Sequence, residues 1–97
     1  MKLFVDDRRE QPKGFNCAVD YDSAVMLLRL LDFDFVTLDY DLGDGKTGLD
    51  ILKFMHENGK YPEHLNIHSD HSVGRQEMRR YAEENFPETV SITLNMF

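Results

Sequence analysis

The feature that most constrains the fold is a regular alternation between short apolar segments and longer segments whose apolar residues recur every three or four positions. Short apolar segments of this kind form buried strands, and the longer segments form helices with one apolar face. Strands are predicted at residues 2–6, 35–40, 65–68 and 90–94, with a short edge strand at 17–21. Strands separated by helices are joined by right-handed crossovers into a parallel sheet. We therefore predict an α/β fold with helices on both faces of the sheet, formed by residues 1–97 as one domain.

Three helices are predicted between these strands, each starting at a residue that can accept hydrogen bonds from the backbone of the first turn. The predicted boundaries are Asp22 at the start of the first helix, Thr47 and Asn58-Gly59 around the second, and Ser69, Asp70 or Ser72 at the start of the third.

Charge and composition limit the partners of the chain. The 97 residues include 11 Lys and Arg against 18 Asp and Glu, which gives a formal net charge of −7. Binding to duplex DNA is not expected, because a phosphate backbone attracts proteins with a net positive face. No apolar run reaches the length of about 18 residues that a membrane helix needs, so no membrane partner is expected. With a single cysteine, Cys17, and an acidic N-terminal segment, the expected location is the cytoplasm of a bacterial or phage-infected cell.

Acidic residues lie at the ends of the first and the central predicted strands. Asp6 and Asp7 close the first strand, and Asp39 and Asp41 lie at the end of the central one. Ligands of open α/β sheets bind beyond the carboxyl ends of the strands. Carboxylates gathered there repel one another unless a cation binds, and Mg²⁺ or Mn²⁺ prefers oxygen ligands. We predict that these four residues bind a metal ion, the alternative being that they are solvated turn residues and helix caps.

Three further residues at the same edge suit phosphate chemistry. Arg9 can bind phosphate oxygens through two N–H groups, or it can simply balance the neighbouring acids. His68 can exchange a proton near neutral pH, or it can be a hydrogen-bonded structural residue. Ser69 offers a hydroxyl beside it. Together with Asp39, these three residues form the predicted catalytic group.

Several of these segments resemble the receiver domain of response regulators. The resemblance lies in FVDD (4–7), VTLDYDL (36–42), TGLDIL (47–52) and Ser69. It implies a flavodoxin-like parallel sheet, with Asp6 and Asp7 as metal ligands and Asp39 as the phosphoacceptor. The chain departs from the receiver pattern in leaving no room for the first helix, in ending after the last strand, and in having no lysine after Arg80.

A divergent group, the cyclic-phosphate processing receiver domain, resembles the chain more closely. The shared segments are VDDRREQP (5–12), LDYDLG (38–43) and IHSDHSVGR (67–75), although asparagine is expected where this sequence has His71. The resemblance implies a compact receiver-like fold without the first and last helices, and a role in processing cyclic phosphates.

Two classes of function follow from these residues. The first is a metal-dependent phosphodiesterase-type enzyme that opens a cyclic phosphate, such as the 2′,3′-cyclic end of an RNA. In that reaction Arg9 would neutralise developing charge and His68 would protonate the departing sugar oxygen, while Asp39 would act as metal ligand or as nucleophile. The second is a protein without turnover: a phosphoacceptor, or a protein-binding module such as a small phage-type inhibitor.

Overall fold

The computed structural model describes residues 1–96, which form five strands and three helices. In chain order the elements are β1 (Lys2–Val5), β2 (Asn16–Ala18), α1 (Tyr21–Leu30), β3 (Phe35–Leu38), α2 (Gly48–Glu57), β4 (His64–Ile67), α3 (Ser72–Asn85) and β5 (Ser91–Leu94). None of these helices has both the length and the apolar character that crossing a membrane requires. The predicted α/β fold is confirmed, with every predicted strand and helix present.

The strands form one parallel sheet in the order β2-β1-β3-β4-β5. This is the order of flavodoxin-like doubly wound sheets, in which the chain reverses direction across the sheet at β1 and β3. The connection from β1 to β2 is a loop over residues 6–15, and it contains no helix. The predicted receiver-like fold without the first helix is confirmed, and no helix follows β5 within residues 1–96.

The helices cover only one face of the sheet, so the expectation of helices on both faces is wrong. The connections from β2 to β3, β3 to β4 and β4 to β5 all advance in the same direction across the sheet. Right-handed crossovers that advance in one direction place their helices on one face. Accordingly, α2 packs between α1 and α3. The β1–β2 connection runs in the opposite direction, and a helix there would have covered the second face.

The hydrophobic core lies between the sheet and the three helices. Alternate residues of the central strands point into it, as expected for the two-residue period of a strand. The strand residues of this core are Leu3, Val5, Val36, Leu38, Leu65 and Ile67, and its principal helix residues are Leu28, Ile51, Leu52, Met55 and Met78. Burying one such side chain contributes about 1.5–3 kcal/mol. This one-sided core holds the strand ends in fixed register.

The intervening strand residues form the opposite surface, which we call the helix-free face: Phe4, Phe35, Thr37, His64, Asn66, His68 and Thr93, together with Phe15. Rings cover its centre. Phe4 stacks on His68 with ring centroids 4.8 Å apart, and Phe35 stacks on His64 at 4.9 Å. Phe15 meets Phe4 and Phe35 edge-on. These rings and the neighbouring side chains leave Thr37 and Asn66 fully buried, although no helix of the described chain packs on this face.

Two of the predicted helix starts need correction. The N-cap of α1 is Asp20, whose side chain accepts a hydrogen bond from the Ser23 backbone at 2.9 Å, and Asp22 lies in the first turn. The N-cap of α3 is His71, which was not among the predicted residues. A histidine caps less commonly than Ser or Asp, so the sequence favoured its neighbours. The predicted start of α2 at Thr47 is confirmed, as is its end at Gly59, where φ is 63°.

Replacement of a core leucine tests the importance of the single helix layer. Leu52→Ala should lower the free energy of unfolding by about 2–5 kcal/mol, because Leu52 is fully buried between α2 and the sheet. Leu30→Ala is the matched control, since Leu30 is 72% exposed at the end of α1 and should change stability by about 0.5 kcal/mol or less. Urea denaturation measures both, and equal losses would contradict the assigned core.

Candidate functional site

The carboxyl ends of the adjacent strands β1 and β3 bring three carboxylates together. Val5 pairs with Leu38, so Asp6 and Asp39 leave the sheet side by side, and the Asp39 N–H bonds the Val5 carbonyl at 3.0 Å. Asp7 follows directly. Asp6, Asp7 and Asp39 each offer one oxygen, and these three oxygens lie within 4.8 Å of one another. The predicted convergence of these acids is therefore present, and we call them the acidic triad.

Asp6 is the buried member of the triad and is held by hydrogen bonds on both oxygens. Its Oδ1 accepts from the backbone N–H groups of Arg8 and Arg9 at 2.8 and 2.9 Å, and its Oδ2 lies 2.9 Å from His68 Nε2. Burial opposes ionisation, but the Arg9 and Arg8 N–H groups and the His68 ring outweigh it and lower the pKa of Asp6. Asp6 is thus a fixed negative charge beneath the site.

The pKa of Asp39 is shifted in the opposite direction from that of Asp6. Burial and the negative charges of Asp6 and Asp7 raise the pKa of Asp39, against hydrogen bonds from the Tyr40 backbone and the Ser69 hydroxyl. A carboxylate disfavoured in this way is stabilised when a cation binds nearby. Oxygen donors with this charge fit a hard divalent ion such as Mg²⁺, for which solvent or phosphate oxygens complete the coordination.

Asp41 lies outside the acidic triad. Its exposed carboxylate accepts a hydrogen bond from the Gly43 backbone at 3.0 Å and so closes the turn after β3. Asp41 still lines the cavity above the triad, but the structure does not bring it together with the other three predicted ligands. Two acids separated by one residue in a turn diverge, and the sequence spacing alone does not show this.

Arg9 places positive charge beside Asp6, the buried member of the triad. Its guanidinium lies 3.7 Å from Asp6 Oδ2 and 3.5 Å from Asp70 Oδ1, and the side chain is 36% exposed. Arg9 thus bridges the loop after β1 and the loop after β4 at the cavity rim. An arginine therefore lies beside the carboxylates, as predicted, and the exposed part of its side chain can contact an anion.

His68 lies beneath the site, where substrate cannot reach it, and its expected role as a proton donor to substrate needs correction. The side chain is fully buried and does not line the cavity. Nε2 bonds Asp6, and Nδ1 lies 2.6 Å from Thr37 Oγ1. Burial lowers the pKa of His68, although the bond to Asp6 and its charge act in the other direction. His68 therefore orients Asp6 as a neutral ring, which is the structural alternative considered from the sequence.

The bond from His68 is the last in a line of hydrogen bonds across the helix-free face. Because Asp6 only accepts, His68 donates from Nε2 and accepts at Nδ1 from the Thr37 hydroxyl. Thr37 in turn accepts from Asn66 Nδ2 at 2.9 Å. Asn66 Oδ1 accepts from Thr93 at 2.8 Å, and Thr93 lies 2.7 Å from His64 Nε2. Each member donates toward Asp6, and we call this the polar chain.

Above the triad is a cavity of about 420 Å³. Its lining residues are Asp6, Asp7, Arg8, Arg9, Asp39, Asp41, Ser69, Asp70 and His71. Ser69 is buried at its floor and accepts a hydrogen bond from the His71 backbone at 3.1 Å. Of the predicted catalytic residues, Asp39, Arg9 and Ser69 reach the cavity and His68 does not.

Sequence reasoning missed the residues that allow the loops to pack this closely. A side chain at Gly48 would collide with the Asp39 carbonyl, and one at Gly74 would collide with the Tyr40 ring. At Gly43, where φ is +75°, it would meet Asp7 Oδ2 at 2.7 Å. Glycines in the first turns of α2 and α3 were a usable signal, because glycine is unfavourable inside helices unless close packing requires it.

The comparison with protein-family models agrees with this fold. The family model of the cyclic-phosphate processing receiver domain matches residues 1–84. The chain is thus a receiver-like protein, and it belongs to the cyclic-phosphate processing receiver domain family. No curated protein and no solved structure matches it.

Metal binding to the acidic triad should be visible as a rise in melting temperature. We expect Mg²⁺ or Mn²⁺ to stabilise the native chain by about 2.7 kcal/mol at a hundredfold excess over the dissociation constant. Asp39→Asn should abolish this effect, and Asp41→Asn, which changes an acid outside the triad, should preserve it. Differential scanning calorimetry measures all three proteins, and retention of the effect in Asp39→Asn would contradict the assigned ligands.

The same variant has an expected effect without metal. A raised pKa means that the folded state holds the Asp39 proton more tightly than the unfolded state does. The penalty of ionised Asp39 is absent below pH 3.8, grows as pH rises through the folded pKa, and is complete once the pH is above the folded pKa. Asp39→Asn should therefore raise the melting temperature of the metal-free protein at pH 7.

The polar chain can be interrupted at Thr37. Thr37→Val keeps the shape of the side chain but leaves His68 Nδ1 and Asn66 Nδ2 buried without a partner, so the free energy of unfolding should fall by about 1–3 kcal/mol. Thr37→Ser keeps the hydroxyl, so its free energy of unfolding should fall by less than that of Thr37→Val. Chemical denaturation compares the two variants, and a valine variant as stable as the serine variant would show that the polar chain contributes little.

Proposed function

We propose that this protein hydrolyses cyclic phosphates in a metal-dependent, phosphodiesterase-type reaction, with the 2′,3′-cyclic phosphate end of RNA as substrate. The observation that carries the proposal is the acidic triad beside Arg9 in one cavity of a cyclic-phosphate processing receiver domain. A bound Mg²⁺ or Mn²⁺ would polarise the phosphoryl group and lower the pKa of a bound water. Asp6, Asp7 and Asp39 are the residues that would hold it.

The side chains around the triad have separate tasks in this proposal. Asp6 is held ionised by its backbone partners and His68, so it supplies a fixed charge for the cation. The Tyr40 N–H fixes Asp39 Oδ1 at 2.8 Å, and the Ser69 hydroxyl also bonds Asp39. Arg9 stabilises the negative charge that develops on the phosphate oxygens. Asp39 either binds the ion or attacks phosphorus directly. Direct attack would break one P–O bond of the ring and give a transient aspartyl phosphodiester, with a solvent proton passing to the departing sugar oxygen, and water would then cleave the aspartyl ester.

The size and charge of the site favour a small phosphate group or a single RNA end. A cavity of about 420 Å³ falls within the usual range for small-molecule sites, about 300–1,000 Å³. The formal net charge of −7 opposes extended contact with a duplex. The reaction would take place in the cytoplasm of a bacterial or phage-infected cell, where it would act on RNA ends left for repair. The single cysteine is compatible with such a reducing compartment.

A non-enzymatic phosphoacceptor is the second candidate, and the position of Asp39 favours it. Asp39 lines the cavity between the other two acids and Ser69, so its carboxylate is accessible to a small phosphodonor. A protein partner would then read the phosphorylated state. The two candidates differ in whether phosphate is retained on Asp39 or released.

Turnover is tested with a short RNA carrying a 2′,3′-cyclic phosphate end, in Mg²⁺ or Mn²⁺. We expect metal-dependent ring opening, reduced by about 10²–10³-fold in Asp39→Asn and in Arg9→Met, which remove a triad carboxylate and the charge over it. Asp41→Asn is the control and should remain within a few fold of the native rate. Chromatography of the RNA products measures the rates.

Absence of ring opening on this RNA and on a panel of cyclic nucleotides would contradict the enzymatic proposal. Incubation with acetyl phosphate, followed by mass spectrometry of the intact protein, then tests the second candidate. A stable mass increase that Asp39→Asn abolishes would establish the phosphoacceptor.

A further inference from the structure

We propose that His71 binds a phosphate oxygen of the substrate through its Nε2–H group, as a hydrogen-bond donor that lines the same cavity as Arg9. This inference rests on the proposed function and identifies one more residue that contacts the substrate. His71 is exposed and lines the cavity together with the triad and Arg9.

The hydrogen bond at Nδ1 determines which ring nitrogen carries the proton. His71 Nδ1 accepts from the Gly74 backbone N–H at 2.9 Å, at the start of α3. A nitrogen that accepts an N–H bond has no proton of its own, so the proton of the neutral ring is on Nε2. Nε2 lies on the side of the ring away from this turn of α3, and no residue within 1–96 bonds it. His71 therefore presents a donor and cannot act as a metal ligand without losing its proton or its cap.

Packing fixes the direction of this donor. The His71 ring stacks on Tyr40 with centroids 4.7 Å apart and an angle of 27° between the planes. Tyr40 follows Asp39 directly, and its ring lies against Gly74, where any side chain would collide with it. Tyr40 thus connects the orientation of His71 to the triad. A donor held in place in this way loses little conformational entropy when it binds an anion.

The other three histidines have different surroundings. His68 is buried with both nitrogens bonded, and His64 bonds Thr93 on the helix-free face. His56 lies on α2, where Nδ1 is 2.8 Å from the Tyr61 hydroxyl. Within the described chain His71 is the histidine that lines the cavity, on the β4 side of the triad. Arg9 comes from the loop after β1 and reaches Asp70, the residue before His71, so the two residues can hold different oxygens of one phosphate.

The test separates phosphate binding from the helix cap. His71→Ser keeps a side chain that can accept the Gly74 N–H, whereas His71→Ala removes the cap, and neither can donate at the position of Nε2. We expect both variants to bind adenosine 3′-monophosphate in Mg²⁺ about tenfold or more weakly than the native protein, the size expected for a hydrogen bond to a charged group. Only His71→Ala should also have a lower melting temperature than the native protein. Calorimetry measures affinity and stability.

A second measurement examines the ring itself. Two-bond ¹H–¹⁵N spectra of the native protein should show His71 protonated at Nε2, with the Nε2 signal shifting as adenosine 3′-monophosphate is added. A proton on Nδ1, native affinity in His71→Ser, or no binding by the native protein would overturn the inference. If the native protein still opens the cyclic phosphate, the proposed function stands even though the role of His71 is wrong. If the native protein does not open it, the proposed function itself is contradicted.

Discussion

The hydrogen bond between His68 and Asp6 is the interaction on which the remainder of the site depends. It joins β4 to β1 across the intervening strand β3, and its partners are fully buried or nearly so. Through Asp6 it also orders the turn that begins the β1–β2 loop, because the other oxygen of Asp6 accepts the Arg8 and Arg9 N–H groups. The position of the Arg9 side chain over the cavity follows from this turn. Loss of either partner would leave a polar group unpaired in the protein interior, which costs about 1–3 kcal/mol.

The electrostatics of the site differ from those of the whole chain. An overall charge of −7 gives no attraction for phosphate, and the triad itself repels it. The negative charge at the site is smaller than the three carboxylates suggest, because the Arg9 guanidinium lies beside Asp6 and because the pKa of Asp39 is raised. A bound divalent cation would complete the reversal of sign over a short range. The proposed phosphate ligand would therefore have to be small enough to stay within this range.

The fold and the acidic triad could be predicted because both depend on simple periodicity. Strand–helix alternation determines the parallel sheet, and parallel strands place their following residues at one edge. The accessibility of individual side chains at this edge could not be predicted in the same way. His68 and His71 are three residues apart, yet one is buried and the other is exposed. The difference depends on the helix-free face, where Thr37, His64, Asn66 and Thr93 provide polar partners. These polar residues at alternate strand positions were the available indication that no helix covers this face.

The direction of the polar chain has a consequence for the electric field at the site. Every hydroxyl, amide and imidazole in it turns its positive end toward Asp6, so their dipoles add instead of cancelling. Parallel sheets usually obtain such a field from the amino end of a helix. Here a row of five aligned side-chain dipoles lies on the helix-free face, beneath the rings that cover it. The sheet thereby stabilises a buried anion with its own side chains, much as a helix would with its backbone.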